Sequence, residues 1–418
     1  MQSNDKKLNI PSSQQYQTID GKIKVHKEIG SGLQSRVFLV SSLQNNDAEI
    51  NQSQELSFSS EPITDQKFAL KTFEKDEFKA LGLREFQLLK NIESNPHILR
   101  VFDHQESAEI ETKKCSNDLP NLSKSNSSES SNSSSSNQQG NALLLQKGFD
   151  YITMEYCSNG DLFDFVKKNG KLSEGLTKHL FHQLLDSLEF LHEKVGVAHL
   201  DLKLENVLVS DNYQLKLCDF GFYEELKSKV CKNRGTHGYR APETYVQSNE
   251  GFEGDKADIF ALGVILFIMI FGVPPFNQAT KEDALYRLFY RGANSFKFFL
   301  RMHYATKPLY NQGSIDPNLV ELLFALLDEN PSNRPQSINE IRQFAYLQNN
   351  LISADIAQSE MSQLIQKHKI TQSNEQVPAS SSTLSNNSNE SNNKNSKISI
   401  NKSNDKYINN TNSNEVKN

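Results

Sequence analysis

The sequence predicts an α+β protein in which strands come first and helices dominate afterwards. Three observations carry this reading. Runs of β-branched and aromatic residues recur at 23–25, 37–40, 67–71, 97–102 and 149–157, bounded by polar or glycine-bearing stretches. Only one helical segment interrupts them, with Leu81, Leu83, Phe86, Leu88 and Leu89 set among charges. From Asp161 onward apolar residues fall at helical spacing, starting with Leu162, Phe163, Phe165 and Val166 and continuing through Leu176, Leu180, Leu184 and Leu188.

Taken in order, the first twenty residues are polar and predict no ordered structure. Ile23, Val25 and Ile29 then open a strand that leads through Gly30-Ser31-Gly32 into Val37-Phe38-Leu39-Val40. Such a hairpin is either a plain turn or a cover for an anion, since glycines let backbone N–H groups approach closely. A polar insert fills 43–65, longer than a hairpin connection needs. Lys67-Phe68-Ala69-Leu70-Lys71 reads as a strand with Lys71 either inward or solvated at its end. A second insert, 105–147, contains SKSNSSESSNSSSSNQQG, from which no core can be built. The helical pattern continues to about Gln348, and the chain from 371 is rich in Asn, Ser and Lys.

Composition excludes several classes. A net charge of −6 without a basic block argues against a general nucleic-acid binder. Cys115, Cys157, Cys218 and Cys231 have neither zinc-site spacing nor disulfide-scaffold density and fit reduced thiols. Residues 1–10 hold no apolar run, so no signal peptide is expected, and Gln2 excludes the usual myristoylation signal. The apolar run 259–273 is shorter than the roughly 20 residues of a spanning helix and reads as a buried one. Cytoplasm is the expected location, with the nucleus as the alternative.

The chemistry concentrates in His199-Leu200-Asp201-Leu202-Lys203-Leu204-Glu205-Asn206, followed by Asp219-Phe220-Gly221. One loop thus carries a proton acceptor, a cation two residues on and a metal-ligating amide five residues on. A second oxygen ligand follows beyond a short hairpin. Phosphoryl transfer from a metal-bound nucleotide to a hydroxyl needs this equipment, because it depends on positioning and charge neutralisation rather than covalent chemistry.

In these motifs, and in Lys67–Lys71, Gly235 to Tyr239 with Ala241-Pro242-Glu243, and Gly272-Val273-Pro274-Pro275-Phe276, the chain resembles the protein kinase family. It is most similar to the serine/threonine branch around the calcium/calmodulin-dependent group. The resemblance implies a two-lobed fold: a small antiparallel-sheet lobe with one main helix (22–156) and a larger helical lobe (157–348). Residues 1–21 and 349–418 are expected to lie outside it as a disordered start and a low-complexity tail.

By the same resemblance ATP and Mg²⁺ are the cofactors. Asp201 and Lys203 are the catalytic pair, joined by Thr236, and Asn206 and Asp219 hold the metal. Lys71 binds phosphates and pairs with Glu85, with Glu74 and Glu77 as nearby alternatives. Ile29, Gly30, Gly32, Val37, Ala69 and Leu208 enclose the nucleotide, Met154 guards the back of the pocket, Glu155 and Cys157 bond adenine, and Asp161 takes the ribose. Asp258 holds the catalytic loop, and Arg334 pairs with Glu243. The histidines His179, His182 and His192 read as core or partly exposed rather than as ligands.

Two departures from the family pattern stand out. Ser35 replaces the third glycine of the hairpin. Leu200 replaces the arginine that grips a phosphate on the activation segment, and Lys232 stands where that phosphate is commonly attached. Control by that phosphate–arginine pairing is therefore not expected. The departures also frame the alternative of a pseudokinase scaffold or allosteric partner; a small-molecule kinase is the remaining rival. Partners implied are protein substrates bearing Ser or Thr, with calmodulin or another regulator at 351–370, and neither nucleic acid nor membrane. That segment is either such a regulatory helix or a helix packed on the lobe.

Overall fold

A computed structural model describes residues 15–32, 34–43, 66–114, 148–231, 234–246, 250–290 and 295–375. The strand-patterned half forms one antiparallel sheet of β1 (Gln15–Ile19), β2 (Ile23–Ser31), β3 (Arg36–Ser42), β4 (Lys67–Phe73), β5 (Val101–Ala108), β6 (Ile110–Lys114) and β7 (Phe149–Glu155). The order is β5-β7-β4-β3-β2-β1-β6. β5 and β6 are separated only by Glu109 yet occupy opposite ends of that order, so the sheet curls strongly. Asp20 fixes the bend: its amide donates to Glu109 O and its Oδ1 accepts from Glu109 N, both at 2.9 Å.

Side chains alternate across a strand, so the sheet has two different faces. One gathers Ile19, Val25, Phe38, Val40, Leu70 and Phe149 into a core. The other carries Ala69, Phe73, Ile152 and Met154 and receives Phe78, Phe86 and Leu89 of α1 (Asp76–Asn91). Lys71, two residues from both Ala69 and Phe73, shares that second face.

Three expectations need correction. The strand pattern does not begin at Lys22: the polar-looking Gln15–Ile19 pairs with both β2 and β6 and buries Ile19 completely. Pairing on both sides holds the strand and sets Ile19 in the sheet's core, which the polar content of 15–18 does not reveal. Likewise the chain stays strand-like through Lys114 rather than breaking at 105: β5 is largely exposed and polar, and β6 is held by pairing with β1. Residues 1–14, 44–65, 115–147 and 376–418, where the remaining expectations of disorder fall, lie outside the described residues.

The helical half comprises α2 (Leu162–Asn169), α3 (Glu174–Glu189), α4 (Gly254–Phe271), α5 (Ser295–Met302), α6 (Lys307–Asn311), α7 (Pro317–Leu326), α8 (Ile338–Arg342), α9 (Ala345–Gln348) and α10 (Ala354–Glu375). The apolar run foreseen as a buried helix is α4, apolar all round because it runs through the core. Among the described residues no helix is long and apolar enough to cross a membrane. Four short strands, β8 (Val197–Ala198), β9 (Val207–Val209), β10 (Leu215–Leu217) and β11 (Glu224–Glu225), pair as β9–β10 and β8–β11 at the edge facing the sheet domain.

The third correction concerns the tail assigned from 349. Ala357 and Met361 of α10 are buried in the main core, with Ile352, Leu364 and Ile365 packed on it. Ile356, read as part of the same apolar face, is exposed. Ser173 Oγ donates to Glu360 Oε2 at 3.0 Å, tying α10 to the start of α3.

Candidate active site

Lys71 is the meeting point of three elements. Its Nζ lies 2.7 Å from Glu85 Oε2 on α1 and 2.8 Å from Asp219 Oδ1. Lys71 and Glu85 are both buried, so either charge alone would be heavily penalised and the pair must be made. Burial works against the Lys71 ammonium, but the two carboxylates outweigh it and raise its pKa. Burial likewise would raise Asp219, yet Lys71 overrides it and holds the carboxyl at about 2. Glu85 Oε1 also accepts from Phe220 N at 3.2 Å, linking α1 to the Asp219-Phe220-Gly221 turn. Of the alternative partners, Glu74 sits 3.9 Å from Arg36 and Glu77 is exposed.

The catalytic loop hangs from the fully buried Asp258 of α4. Its carboxylate accepts from His199 N and Leu200 N, each at 2.8 Å, and from His192 Nε2 at 2.9 Å. Those bonds hold Leu200 at φ +64°, a left-handed backbone that costs a leucine about 1–2 kcal/mol. Asp201 N donates to His199 Nδ1, so the ring hydrogen is on Nε2, which donates to Cys218 O at 3.1 Å. The His199 ring stands edge-on to Phe220 with centroids 4.9 Å apart.

Asp201 is held on both oxygens. Oδ1 accepts from Thr236 Oγ1 at 2.8 Å; Oδ2 lies 2.9 Å from Lys203 Nζ and 3.1 Å from Asn206 Nδ2. Lys203 Nζ donates to Thr236 at 3.0 Å, closing a ring of three side chains. Asn206 also donates to Asp201 O at 2.9 Å, which turns its amide oxygen the other way. An amide oxygen and the Asp219 carboxylate form a hard-oxygen donor set that suits Mg²⁺ completed by phosphate oxygens and water.

Several of the other residues expected around a nucleotide sit on neighbouring strands and in one apolar cluster. Val37 pairs with Lys71 and Ala69 with Met154 across neighbouring strands. Val37, Leu208, Ala69, Met154 and Cys157 share a single apolar cluster. Ile29 is partly exposed at the end of β2, beside Gly30 and Gly32. Glu155 spends its amide N–H on Arg100 O at 2.9 Å and its side chain on Lys216 at 3.2 Å. Asp161 bridges to Leu208 and caps α2, accepting from Asp164 N at 2.7 Å.

The segment from Phe222 to Glu243 closes the site. Gly235, at φ +92°, presses so close to the catalytic loop that a Cβ there would stand 2.6 Å from Leu200 O. Downstream, Arg334 forks onto Glu243 with contacts of 2.6 and 2.8 Å. Lys232 lies outside the described residues. Sequence reasoning missed a second anchor: Arg234 Nη1 lies 2.8 Å from Glu224 Oε1, and Arg84 Nη2 lies 3.2 Å from Glu224 Oε2. No spacing rule marks such a contact between residues 140 positions apart.

A curled antiparallel sheet over a helical lobe, with these groups in the cleft between, defines a protein kinase domain. The family model for that domain matches residues 60–347, and the chain belongs to this family. It is 28% identical over 75% of its length to CBL-interacting protein kinase 11 of Oryza sativa subsp. japonica, covering 49% of that protein. It is 39% identical to CBL-interacting serine/threonine-protein kinase 13 of Arabidopsis thaliana over 44% of this chain and 34% of that one. Serine/threonine-protein kinase cds1 of Schizosaccharomyces pombe is 34% identical over 44% of this chain and 38% of its own. The matched region spans half or less of each of these relatives.

Proposed function

We propose that this chain is a serine/threonine protein kinase that transfers the γ-phosphate of ATP to protein hydroxyls. The observation that carries the reading is the doubly anchored Asp201, fixed by Thr236, Lys203 and Asn206 in the cleft that Lys71, Glu85 and Asp219 also line. Magnesium-bound ATP supplies the phosphoryl group and the countercharge. Asp201 accepts or orients the proton of the incoming hydroxyl. Lys203 stands beside it to balance negative charge on the transferring group. Asn206 and Asp219 are the oxygen donors for the metal, and Lys71, braced by Glu85, holds phosphates. The Lys203–Thr236–Asp201 ring supports the serine/threonine assignment.

Leu200 is apolar and buried, which supports activity independent of a phosphate–arginine grip on the activation segment. The names of the two plant relatives describe CBL interaction for those proteins; for this chain a regulatory protein acting at residues 351–370 is the corresponding proposal, with calmodulin as the alternative ligand. Cys157 and Cys218 are free thiols, which supports a reducing compartment, cytoplasm or nucleus. The test is ATP-dependent phosphorylation of a generic basic protein, with Asp219→Asn as control. Label on Ser or Thr that the substitution abolishes is the expected result; nucleotide binding without any transfer would favour a scaffold instead.

A further inference from the structure

The two ends of the activation segment are secured differently, and the upstream end is secured by a carboxylate that the catalytic scheme does not use. Glu224 lies on β11, paired with Ala198 of β8, one residue before His199. Its two oxygens face two arginines from different parts of the molecule. Oε1 meets Arg234 of the segment at 2.8 Å, and Oε2 meets Arg84 of α1 at 3.2 Å. Arg84 Cζ also lies over the Tyr223 ring at 4.0 Å, and Arg234 Nη1 donates to Phe222 O at 3.5 Å. Each guanidinium is thus fixed by a second contact, which lowers the ordering cost of the bridge.

We propose that Glu224 is a positioning residue that clamps the activation segment to α1 and the catalytic loop, supplying from within the chain the ordering that a phosphate on the segment would supply. The inference rests on the kinase reading and deepens it. Arg234 stands two residues before Thr236, and the intervening Gly235 packs so closely on the catalytic loop that a Cβ there would stand 2.6 Å from Leu200 O. A displaced Arg234 therefore carries Thr236 away from Asp201. On the other side Arg84 precedes Glu85, so the same carboxylate steadies the helix that braces Lys71. A phosphate acts by the same chemistry, offering oxygens to arginines. Here the acceptor is a permanent glutamate, and the position that would grip a phosphate is Leu200. The three side chains are partly exposed (Arg84 35%, Glu224 27%, Arg234 15%), so the clamp biases an equilibrium and does not staple the fold.

The test uses the full chain after phosphatase treatment, with mass spectrometry to verify that 228–236 carry no phosphate. Turnover with ATP, Mg²⁺ and a basic acceptor protein is compared for wild type, Glu224→Gln and Glu224→Asp, alongside backbone hydrogen exchange over 234–246. Treated wild type keeps its turnover. Glu224→Gln lowers kcat by about three- to fivefold, a shift that a partly exposed bridge can impose on a two-state segment, and raises exchange over 234–246. Its melting temperature stays close to wild type, and Glu224→Asp recovers most of the rate. Unchanged kcat and exchange in Glu224→Gln, or loss of wild-type turnover on dephosphorylation, overturns the proposal. Should wild type never transfer phosphate, the kinase reading falls and hydrogen exchange alone decides for or against the clamp.

Discussion

The same segment is held at its two ends by arginine–carboxylate pairs that share chemistry and little else. Arg334 at the downstream end is fully buried, forks onto both oxygens of Glu243, and also donates to Asp328 O and Lys256 O at 2.8 and 2.9 Å. Its guanidinium lies over Phe260 at 4.9 Å. The upstream Arg234–Glu224–Arg84 bridge is partly solvated and spans the two lobes. A buried pair cannot open without stranding a charge, whereas a solvated one opens at small cost. The first is architecture; the second is suited to setting how often the segment is correctly placed.

Substitutions should separate these roles. Arg334→Ala leaves the partly buried Glu243 without its cation and empties a fully buried site, and is expected to cost about 3 kcal/mol, read by denaturant unfolding. Arg334→Lys should recover little of it, because an ammonium cannot replace the fork. A loss under 1 kcal/mol, no larger than that of an exposed pair, would erase the contrast between the two ends.

Truncation after Gln348 probes the tail as a third attachment. It removes the buried Met361 and Ala357 with their half-buried neighbours, and about 2–3 kcal/mol of stability should go with them. A rise in activity with unchanged stability would instead mark α10 as an inhibitor.

The smallest effect lies at the ion cluster. Asp219 is held at about 2, below the ordinary carboxylate. A depressed acid stabilises the fold above its unfolded pKa, and this contribution disappears as pH falls from about 4 to about 2. Lys71→Met removes the cause, so the Asp219 pKa should climb back toward or past the ordinary range, read by NMR of labelled aspartate. An unmoved Asp219 would mean that Lys71 does not set its charge.

Much of the site was legible because chemistry fixed its spacing. Asp201, Lys203 and Asn206 share one loop, and Lys71 announced itself as a cation inside a strand pattern. Spacing favoured Glu85 over Glu74 and Glu77, and the side of α1 that faces the sheet brings it onto Lys71. β1 was hidden because ladder bonds, not apolar residues, hold most of it, and the core-packed α10 was only one of two readings of its segment. Glu224 was illegible for a different reason: an ordinary surface-type residue becomes a bridge only once α1 and the segment are brought beside it.

The most direct test of the account is a pair of measurements on Asp201→Asn: nucleotide affinity and phosphoryl transfer to a basic protein. Asparagine keeps the shape but loses the proton acceptor, so ATP should bind within a few-fold of wild type. Transfer should fall by about 10²-fold or more. Transfer at the wild-type rate in this variant would contradict the assignment of Asp201 as the group that engages the substrate hydroxyl.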